Sequence, residues 1–532
     1  MIRIVLVCSI CGGAVHCPVL FSGDENEHEA ERLRGLTLQE ASERLERCAP
    51  ESEIVTQLAV KAVRRRVRYE LTIEPNADKL SWLILLNLSQ QEFDESDRSH
   101  TAAGYQLTAS GSAKAGRERR YSGVWVCHPK PARPLVLPDE PVPVTGETVE
   151  RFTPVDVLMR TFLAEKNVAG ATVAIAHHGK LLYSRGFGWS DVESRMAMSP
   201  RGELRIASLS KPITAVAVMM LVDNQRLKPD DHVIPLLKSA GLDEPSDDRW
   251  NQITVRHLLQ HTGGWDRDET PDPMFHPMKA RDALKLNRFA RPRDIVAWQL
   301  TQPLNFDPGT REAYANLGYC VLGRVIEAVA GQPYDQFVRE HILNPLGMDS
   351  TRLGKTRLEN RGQREVYYHM QNEERLPAFW SMIPNSEGRR NPVEVSRPYG
   401  ASDLEIMDAH GGWVSSAPDL VTFVSAVFDD NAGLLSAETR SVMFERPDHV
   451  DPGAGYWYGC GWLVRPTGRS DVNVWHNGRL DGTSSLLVRR WDGYAWAVLF
   501  NTDVAASGDA LHGLIDSPLH RAIRANRADR LR

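Results

Sequence analysis

The chain has 532 residues, of which 42% are hydrophobic and 25% are charged. That composition is typical of a globular protein, and the length suits two to four domains. The formal charge of −6 and the sequence pI near 6.3 give no reason to expect a nucleic-acid partner.

The first residues have the pattern of a secretory leader. Residues 1–23 carry one early cation, Arg3, and an apolar stretch, and the chain turns acidic at Asp24. This pattern predicts a signal peptide over 1–23 and therefore a periplasmic or secreted protein. The apolar stretch is shorter than the ~20 residues that a membrane-spanning helix needs, so we expect no stable membrane span.

Residues 24–128 combine helical and strand-like patterns. A charged, helix-favouring stretch comes first, and strand-like runs follow at 62–73, 79–89 and 119–127. Within 61–68 (KAVRRRVR) valines alternate with basic residues, which predicts one strand with a solvated face. Together these patterns predict a small α+β accessory domain over 24–128.

A proline-rich stretch follows this domain. Six prolines lie between residues 129 and 143. Because proline fixes φ and has no N–H to donate, such a stretch is expected to be extended and semi-rigid. We therefore place a linker at 129–148, a main domain at 149–522 and a short tail at 523–532.

Ser208 and Lys211 lie three residues apart in the string RIASLSKPITAVAVMM, residues 205–220. Proline is tolerated in a helix only in the first turn, so Pro212 predicts a helix that begins at about Ser208. Residues at i and i+3 share a helix face, which brings the hydroxyl and the amine within reach of each other. The amine can activate the serine only if its pKa falls from about 10.4 toward neutrality. The apolar run 213–222 and the helix N-terminus both favour that fall.

Two further motifs follow at wide spacing. Tyr314 and Asn316 precede an apolar helical pattern that ends at Gly331, and His476 and Gly478 follow a β-branched, aromatic run. Taken singly, each motif has a simpler interpretation, as a chance S-x-x-K, a core tyrosine or a loop histidine. Their order over about 270 residues is much harder to produce by chance, which favours one catalytic centre.

The series S-x-x-K, Y-x-N and H-x-G resembles that of the penicillin-recognising serine hydrolases, in the branch of class C β-lactamases, esterases and D,D-peptidases. The segments 253–264 and 411–423 add to the likeness, which covers about residues 150–520. The resemblance implies an α+β fold, with an antiparallel sheet flanked by helices and an inserted helical subdomain. Strand patterns at both ends of the domain, 171–188 and 474–501, are expected to form that sheet. The resemblance implies no metal ion and no organic cofactor.

The resemblance also implies roles for the first two motifs. Ser208 would attack a carbonyl carbon and become acylated. Lys211 and Tyr314 would share the proton transfers, and the sequence leaves open which of them is the base. Asn316 would bind the substrate, by orienting its amide, or would orient the lysine.

The third motif is expected to lie on an edge strand that faces the cavity. His476 would assist Tyr314 or the substrate, and the backbone amides of Ser208 and Arg479, after Gly478, would form the oxyanion hole. The β-lactamases of this branch carry a lysine in place of His476, a fixed cation that suits the carboxylate of the antibiotic. A histidine is mostly neutral at pH 7, which favours ester or D-amino-acid peptide substrates. The Arg479 side chain either supplies the missing cation or points to solvent.

The expected function is a serine hydrolase that cleaves an ester or amide of a small molecule or peptide, as a carboxylesterase or D-amino-acid peptidase does. A β-lactamase or D,D-carboxypeptidase is the alternative. A second alternative is a catalytically inactive binding protein, against which the joint presence of Ser208, Lys211 and Tyr314 argues. Two polar segments, 265–293 and 355–400, are expected to line the mouth of the cleft and to determine specificity.

Overall fold

The structure is a computed structural model, and it describes residues 6–7, 30–48, 52–64, 66–76, 80–102, 105–116, 118–127, 133–382, 393–428, 433–468 and 471–524. The chain divides into two compact units, Met1–Arg133 with Glu374–Ser396 and Pro134–Glu373 with Arg397–Arg532. The predicted signal peptide, apart from Leu6–Val7, lies outside the described residues, as does the tail after Arg524. Secretion therefore stays a prediction.

The first unit is small and rich in strands. Its elements up to residue 127 are β1 (Leu6–Val7), β2 (Glu31–Leu36), α1 (Leu38–Glu46), β3 (Glu53–Val63), β4 (Arg66–Pro75), β5 (Ser81–Leu88), α2 (Gln90–Ala102), β6 (Gln106–Ala115) and β7 (Glu118–Cys127). The strands form two antiparallel sheets, of order β2-β4-β3 and β1-β5-β7-β6. Thr37 and Glu40 form a capping box that starts α1, and Tyr69 and Trp82 lie in the buried core. The predicted α+β character of this region is confirmed.

Segment 61–68 is not one strand, so that prediction is wrong. The chain reverses between β3 and β4, where Val63 pairs with Arg66. Arg64 adopts a left-handed backbone conformation with φ of 48°, which such a tight reversal requires. The reversal falls within the three arginines at 64–66, a run without the glycine, proline or asparagine that usually marks a tight turn.

After residue 132 the chain alternates between a few long strands and many helices. The strands are β8 (Arg133–Pro134), β9 (Val144–Thr145), β10 (Gly170–His177), β11 (Lys180–Asp191), β12 (Met196–Ala197), β13 (Leu204–Arg205), β14 (Arg352–Leu353), β15 (Asn372–Glu373), β16 (Arg375–Pro377), β17 (Glu394–Ser396), β18 (Trp413–Ser415), β19 (Trp457–Tyr458), β20 (Leu463–Pro466), β21 (Val472–Leu480), β22 (Thr483–Arg489) and β23 (Tyr494–Phe500). Strands β16 and β17 pair with each other and belong to the first unit.

The helices of the second unit complete the inventory. They are α3 (Thr153–Lys166), α4 (Ser210–Asp223), α5 (Val233–Ser239), α6 (Val255–Leu259), α7 (Pro277–Ala283), α8 (Pro292–Gln299), α9 (Asn316–Ala330), α10 (Tyr334–Val338), α11 (Asn344–Leu346), α12 (Ala417–Val427), α13 (Ala437–Phe444) and α14 (Leu511–Arg524). Short 3₁₀ helices lie at Glu150–Phe152, Ala207–Leu209, Asp248–Gln252, Pro273–Phe275, Leu358–Asn360, Phe379–Met382, Arg397–Tyr399 and Glu405–Met407, and a π-helical turn lies at Arg339–Leu343.

The main sheet of the second unit is antiparallel and is built from both ends of that unit. Its order is β12-β11-β10-β23-β22-β21-β20-β19, and β9 also pairs with β11. Alternate side chains of the central strands pack against α3 and α14 on one face and against α12 on the other. Because both faces are covered, a strand such as β23 is apolar and buried throughout. The predicted sheet, flanked by helices, is confirmed.

Most of the helices come between β13 and β18, which confirms the predicted inserted helical subdomain. Its first helix, α4, is apolar on all sides and almost wholly buried, as a helix at the centre of a core must be. Segment 265–293, one of the two polar segments expected to line the cleft, contains a 3₁₀ turn and α7. Within the other polar segment, 355–400, the stretch Glu374–Ser396 belongs to the first unit.

Candidate active site

Ser208 lies in a 3₁₀ turn, just before the α-helix that was predicted to start there. The turn covers Ala207–Leu209, and α4 begins at Ser210 with Pro212 in its first turn. Ala207 has a φ of 49°, a left-handed conformation that costs an alanine about 1 to 3 kcal/mol. Such strain is typical of a functional turn. Ser208 itself is half-buried.

Neighbouring strands fix the backbone that leads into Ser208. The hydroxyl of Ser485, in β22, donates to the carbonyl oxygen of Ile206 over 2.8 Å. The amide of Ile206 donates to the carbonyl oxygen of Trp413, in β18, over 3.0 Å. The position of the serine is therefore determined before any substrate binds, which is the preorganisation that catalysis needs.

Ser208 Oγ lies within hydrogen-bond distance of both of the predicted proton-transfer residues. The Nζ of Lys211 lies 3.1 Å from Ser208 Oγ, and the hydroxyl of Tyr314 donates to the same oxygen over 2.9 Å. The Nζ atom also lies 4.7 Å from the centroid of the Tyr314 ring. The structure thus brings together three side chains that are up to 106 residues apart in sequence, at distances that allow proton transfer.

Lys211 is fully buried and makes two further hydrogen bonds. Its Nζ donates to Asn316 Oδ1 over 2.7 Å and to the carbonyl oxygen of His410 over 3.0 Å. Burial lowers the pKa of Lys211 well below its usual value, while the charge of Asp272 raises that pKa and the charge of Arg267 lowers it. Burial therefore favours the neutral amine that a general base requires.

Tyr314 shows the opposite shift. Burial raises the pKa of the Tyr314 phenol, and the hydrogen bond with Ser208 and the charge of Arg267 lower that pKa to a smaller extent. The guanidinium carbon of Arg267 lies 5.0 Å from the ring centroid, and the ring of His261 packs against Tyr314 at 4.2 Å. The phenol is therefore favoured over the phenolate, which suits a proton donor.

Asn316 connects the amine to a carboxylate that the sequence analysis did not single out. Asn316 is the first residue of α9 and is buried. Its Nδ2 donates to Asp272 Oδ2 over 2.8 Å, while its Oδ1 accepts from Lys211. Asp272 lies in segment 265–293, whose position near the cleft was expected, but no spacing in the sequence linked this carboxylate to Asn316.

His476 is buried, and its hydrogen-bond partners differ from the expected ones. Its Nδ1 donates to the carbonyl oxygen of Asn477 over 2.7 Å, so its Nε2 accepts from the hydroxyl of Tyr458 over 3.0 Å. Burial, together with the charge of Lys211, lowers the pKa of His476 to about 3. The ring of Tyr458 lies edge-on to the Tyr314 ring, with 6.3 Å between the ring centroids. Tyr458 therefore contacts both the histidine and Tyr314. The sequence carried no signal for Tyr458.

Gly478 lies directly beside the nucleophile turn. A Cβ atom at this position would come within 2.4 Å of the carbonyl oxygen of Ile206 and 2.9 Å of the amide nitrogen of Ser208. The next side chain, Arg479, is exposed, and strand alternation directs it to the opposite face from His476. The Arg479 charge lowers the pKa of His512 in α14. The structure therefore does not bring the Arg479 side chain to Ser208.

A cavity of about 320 Å³ borders this centre. Its lining includes Trp265, Asp272, Trp298, Ala315 and Leu317. Within the part of the chain that the structure describes, no group of three or more His, Cys, Asp or Glu side chains could hold a metal ion. None of the helices described is both long and apolar enough to cross a membrane.

A family model described as Beta-lactamase matches residues 155–517, which contain all of the site residues above. The chain belongs to the β-lactamase family. Members of this family are typically serine hydrolases. The predicted family resemblance is confirmed.

Several known proteins are similar to this chain in sequence or in structure. Penicillin-binding protein 4* of Bacillus subtilis (strain 168) is 27% identical over 341 residues, which cover 62% of this chain and 67% of that protein. The structure of the octameric penicillin-binding protein homologue from Pyrococcus abyssi is 25% identical, with a TM-score of 0.51, and covers 68% of this chain and 76% of that chain. The D-amino acid amidase from Ochrobactrum anthropi SV3 is 22% identical, with a TM-score of 0.53, and covers 72% of this chain and 100% of that chain. The chain spans 62 to 67% of the length of the curated relatives it matches.

Proposed function

We propose that this protein is a serine hydrolase that cleaves an ester or amide through an acyl-enzyme formed on Ser208. One observation carries the proposal: the Ser208 hydroxyl lies within hydrogen-bond distance of a buried amine, Lys211, and a phenol, Tyr314. Burying an amine costs free energy, and a protein that only binds a ligand does not need a buried amine in contact with a serine hydroxyl. Membership of the β-lactamase family supports the same reaction class.

In acylation, the neutral amine of Lys211 accepts the Ser208 proton while Oγ attacks the carbonyl carbon. Lys211 is our choice of base because burial moves its pKa down and that of Tyr314 up. The oxyanion forms beside the amides of Ser208 and Arg479. Tyr314 then donates its proton to the leaving group, the carbon–heteroatom bond breaks, and the ammonium of Lys211 returns a proton to Tyr314.

In deacylation, a water molecule attacks the ester carbon of the acyl-enzyme. The amine of Lys211 accepts a proton from the water, and Tyr314 donates its proton to Ser208 Oγ as the bond to the acyl carbon breaks. The ammonium of Lys211 then returns a proton to Tyr314. The products are a carboxylic acid and the free enzyme. The same two proton carriers therefore serve both halves of the reaction.

The state of His476 supports an ester or D-amino-acid peptide as substrate. With its pKa lowered to about 3, His476 carries no positive charge near neutral pH. The third motif then offers no cation for the carboxylate of a β-lactam. A neutral ester or an amide of a D-amino acid needs no such cation.

A second candidate, a β-lactamase or D,D-carboxypeptidase, is favoured by the position of Arg267. This side chain is exposed, and its guanidinium carbon lies 5.0 Å from the Tyr314 ring centroid. Among the described residues no carboxylate forms an ion pair with Arg267, because Arg311 binds the neighbouring Asp266 and Glu269. Arg267 therefore offers a cation that the carboxylate of a substrate can bind.

Intact-protein mass spectrometry with a p-nitrophenyl ester and, separately, a penicillin tests the proposal. The wild type and Ser208→Ala are compared, with exposed Ser239→Ala as the matched serine control. We expect turnover or an acyl adduct with the ester in the wild type and in Ser239→Ala, and neither in Ser208→Ala. A lasting penicillin adduct identifies a D,D-peptidase, and rapid penicillin turnover identifies a β-lactamase. No product and no adduct with either compound contradicts the hydrolase and leaves the binding protein.

A further inference from the structure

Asp272 is held rigidly beside the catalytic centre. Its Oδ1 accepts from the amide of Met274 over 3.0 Å, which caps the 3₁₀ turn Pro273–Phe275. Its Oδ2 accepts from Asn316 Nδ2 over 2.8 Å. Both carboxylate oxygens are therefore fixed, one by the backbone and one by a buried side chain.

This carboxylate determines which end of the Asn316 amide meets Lys211. A carboxylate oxygen accepts hydrogen bonds, so the NH₂ end of the amide must face Asp272. The oxygen end then faces the Nζ of Lys211, at 2.7 Å. The reverse orientation would place the amide NH₂ against the amine and leave the carboxylate without its donor.

We propose that Asp272 is a positioning residue for the hydrolysis: through Asn316 it holds the amine of Lys211 against the hydroxyl of Ser208. This inference rests on the proposed function, since it assigns Asp272 a part in activating the proposed nucleophile. The carboxylate acts at a distance, because Asn316 lies between it and the amine. It also supplies the negative charge that opposes the effect of burial on Lys211.

Lys211 is faced by side chains from several elements. The titratable and charged ones are Arg267, Asp272, His261, Tyr314, Tyr319, His410 and His476. Burial is the main cause of a lowered pKa in each of the three histidines and of a raised pKa in both tyrosines, which favours their neutral forms. Among the described residues, Asp272 and Arg267 are left as the charges that act on the amine, with opposite signs.

The pH dependence follows from these signs. Asp272 raises the pKa of Lys211, so its removal lowers that pKa further and makes the neutral amine available at lower pH. With Lys211 as the base, the acidic limb of the plot of kcat/KM against pH moves to lower pH in Asp272→Asn. The maximal kcat nevertheless falls, because an asparagine at 272 has one acceptor oxygen for two donors, the Met274 amide and Asn316 Nδ2, so the orientation of Asn316 is no longer enforced.

Steady-state kinetics against pH, with an ester that the wild type hydrolyses and Ser208→Ala does not, tests this inference. In Asp272→Asn we expect kcat to fall by about tenfold to a hundredfold, as for a misplaced catalytic group, and the acidic limb to move to lower pH. Asp272→Glu keeps the negative charge, so the acidic limb of its pH profile should stay near the wild-type position. Its kcat should be higher than that of Asp272→Asn. Asp268→Asn, an exposed carboxylate of the same segment, is the matched control and should behave as wild type.

A loss of kcat in Asp272→Asn without a shift of the limb, or an unchanged profile, overturns the inference. A readout that does not need turnover is the titration of lysines labelled with ¹³C at Cε, with the Lys211 signal assigned by its loss in Lys211→Met. That signal should titrate at lower pH in Asp272→Asn than in the wild type, and equal titration overturns the inference. Failure of the proposed function would show differently, as equal ester turnover in wild type and Ser208→Ala.

Discussion

Burial decides which side chains around Ser208 carry charge. It lowers the pKa of Lys211 well below its usual value, lowers that of His476 to about 3 and raises that of Tyr314. These directions favour an amine that can accept a proton, a phenol that can donate one and an imidazole that does neither. Three residues of different chemistry thus reach complementary states because all three are buried.

Replacing Lys211 by methionine should change how stability depends on pH. The lowered pKa means that the unfolded chain binds more protons at this lysine than the folded protein, between that pKa and 10.5. The free energy of unfolding of the wild type therefore increases as pH rises through this window, by up to about 1.4 kcal/mol per pH unit. Denaturant unfolding from pH 7 to 10 should show the wild type gaining stability relative to Lys211→Met.

Exposed Lys180 provides the control for the loss of charge alone. The Lys180→Met variant should run parallel to the wild type over this pH range. Parallel curves for Lys211→Met would show that Lys211 is not shifted by burial, and would remove the argument for a lysine base.

Tyr458→Phe should destabilise the protein more than its small size change implies. The variant leaves the buried Nε2 of His476 without the hydroxyl that donates to it over 3.0 Å. An unsatisfied buried polar atom costs about 1 to 3 kcal/mol, so the free energy of unfolding should fall by that amount. Tyr456→Phe, at an exposed tyrosine two residues earlier, should change stability by less than about 0.5 kcal/mol. Equal effects in the two variants would contradict the bond to His476.

At the scale of elements, the site depends on β21 passing close to the turn that carries Ser208. Strand β20 pairs with β21 only as far as Trp475. The 3₁₀ turn Ala207–Leu209, which carries Ser208, packs against β21. Ser485 of the next strand, β22, ties that turn to the sheet through the carbonyl of Ile206. A glycine at 478 allows the strand and the turn to approach closely, as the proposed oxyanion hole of the Ser208 and Arg479 amides requires.

Gly478→Ala should therefore lower kcat in the fraction of the protein that folds. The new methyl group would meet the carbonyl of Ile206 at 2.4 Å and the amide of Ser208 at 2.9 Å, so the strand or the turn must move. Loss of one oxyanion donor typically lowers kcat by about 10² to 10³. Gly455→Ala, where a methyl group meets no atom within 4 Å, is the control and should keep wild-type kcat. Wild-type kcat in Gly478→Ala would contradict this placement of the oxyanion hole.

At the scale of the whole molecule, the second unit closes one sheet with strands from its two ends. The hairpin β10–β11 pairs through β23 with the C-terminal strands, and the helical insertion lies between them in sequence. Ser208 and Tyr314 come from the insertion, whereas His476 and Gly478 come from the sheet. The site exists only where these two parts meet, so the fold is a condition for the chemistry.

The sequence predicted this fold and the centre of the site to different degrees. Short-range rules located the helix after Tyr314 and the strands within 171–188, because caps, turns and periodicity are local. They failed at 61–68, where the turn lacks the glycine, proline or asparagine that usually marks one. Asp272 and Tyr458 could not be predicted, because each contacts its partner across a long stretch of sequence without a motif to mark it. Such contacts arise from tertiary packing alone.

The most direct test of the account is rapid-mixing kinetics with a p-nitrophenyl ester, followed by peptide mapping of the quenched protein. We predict a burst of p-nitrophenol of about one equivalent per enzyme when deacylation is the slower step, and an acyl group on the peptide that contains Ser208. Ser208→Ala should give neither, and Tyr314→Phe should slow the burst by about 10² to 10⁴. An acyl group on another residue, or turnover that persists in Ser208→Ala, would contradict the account.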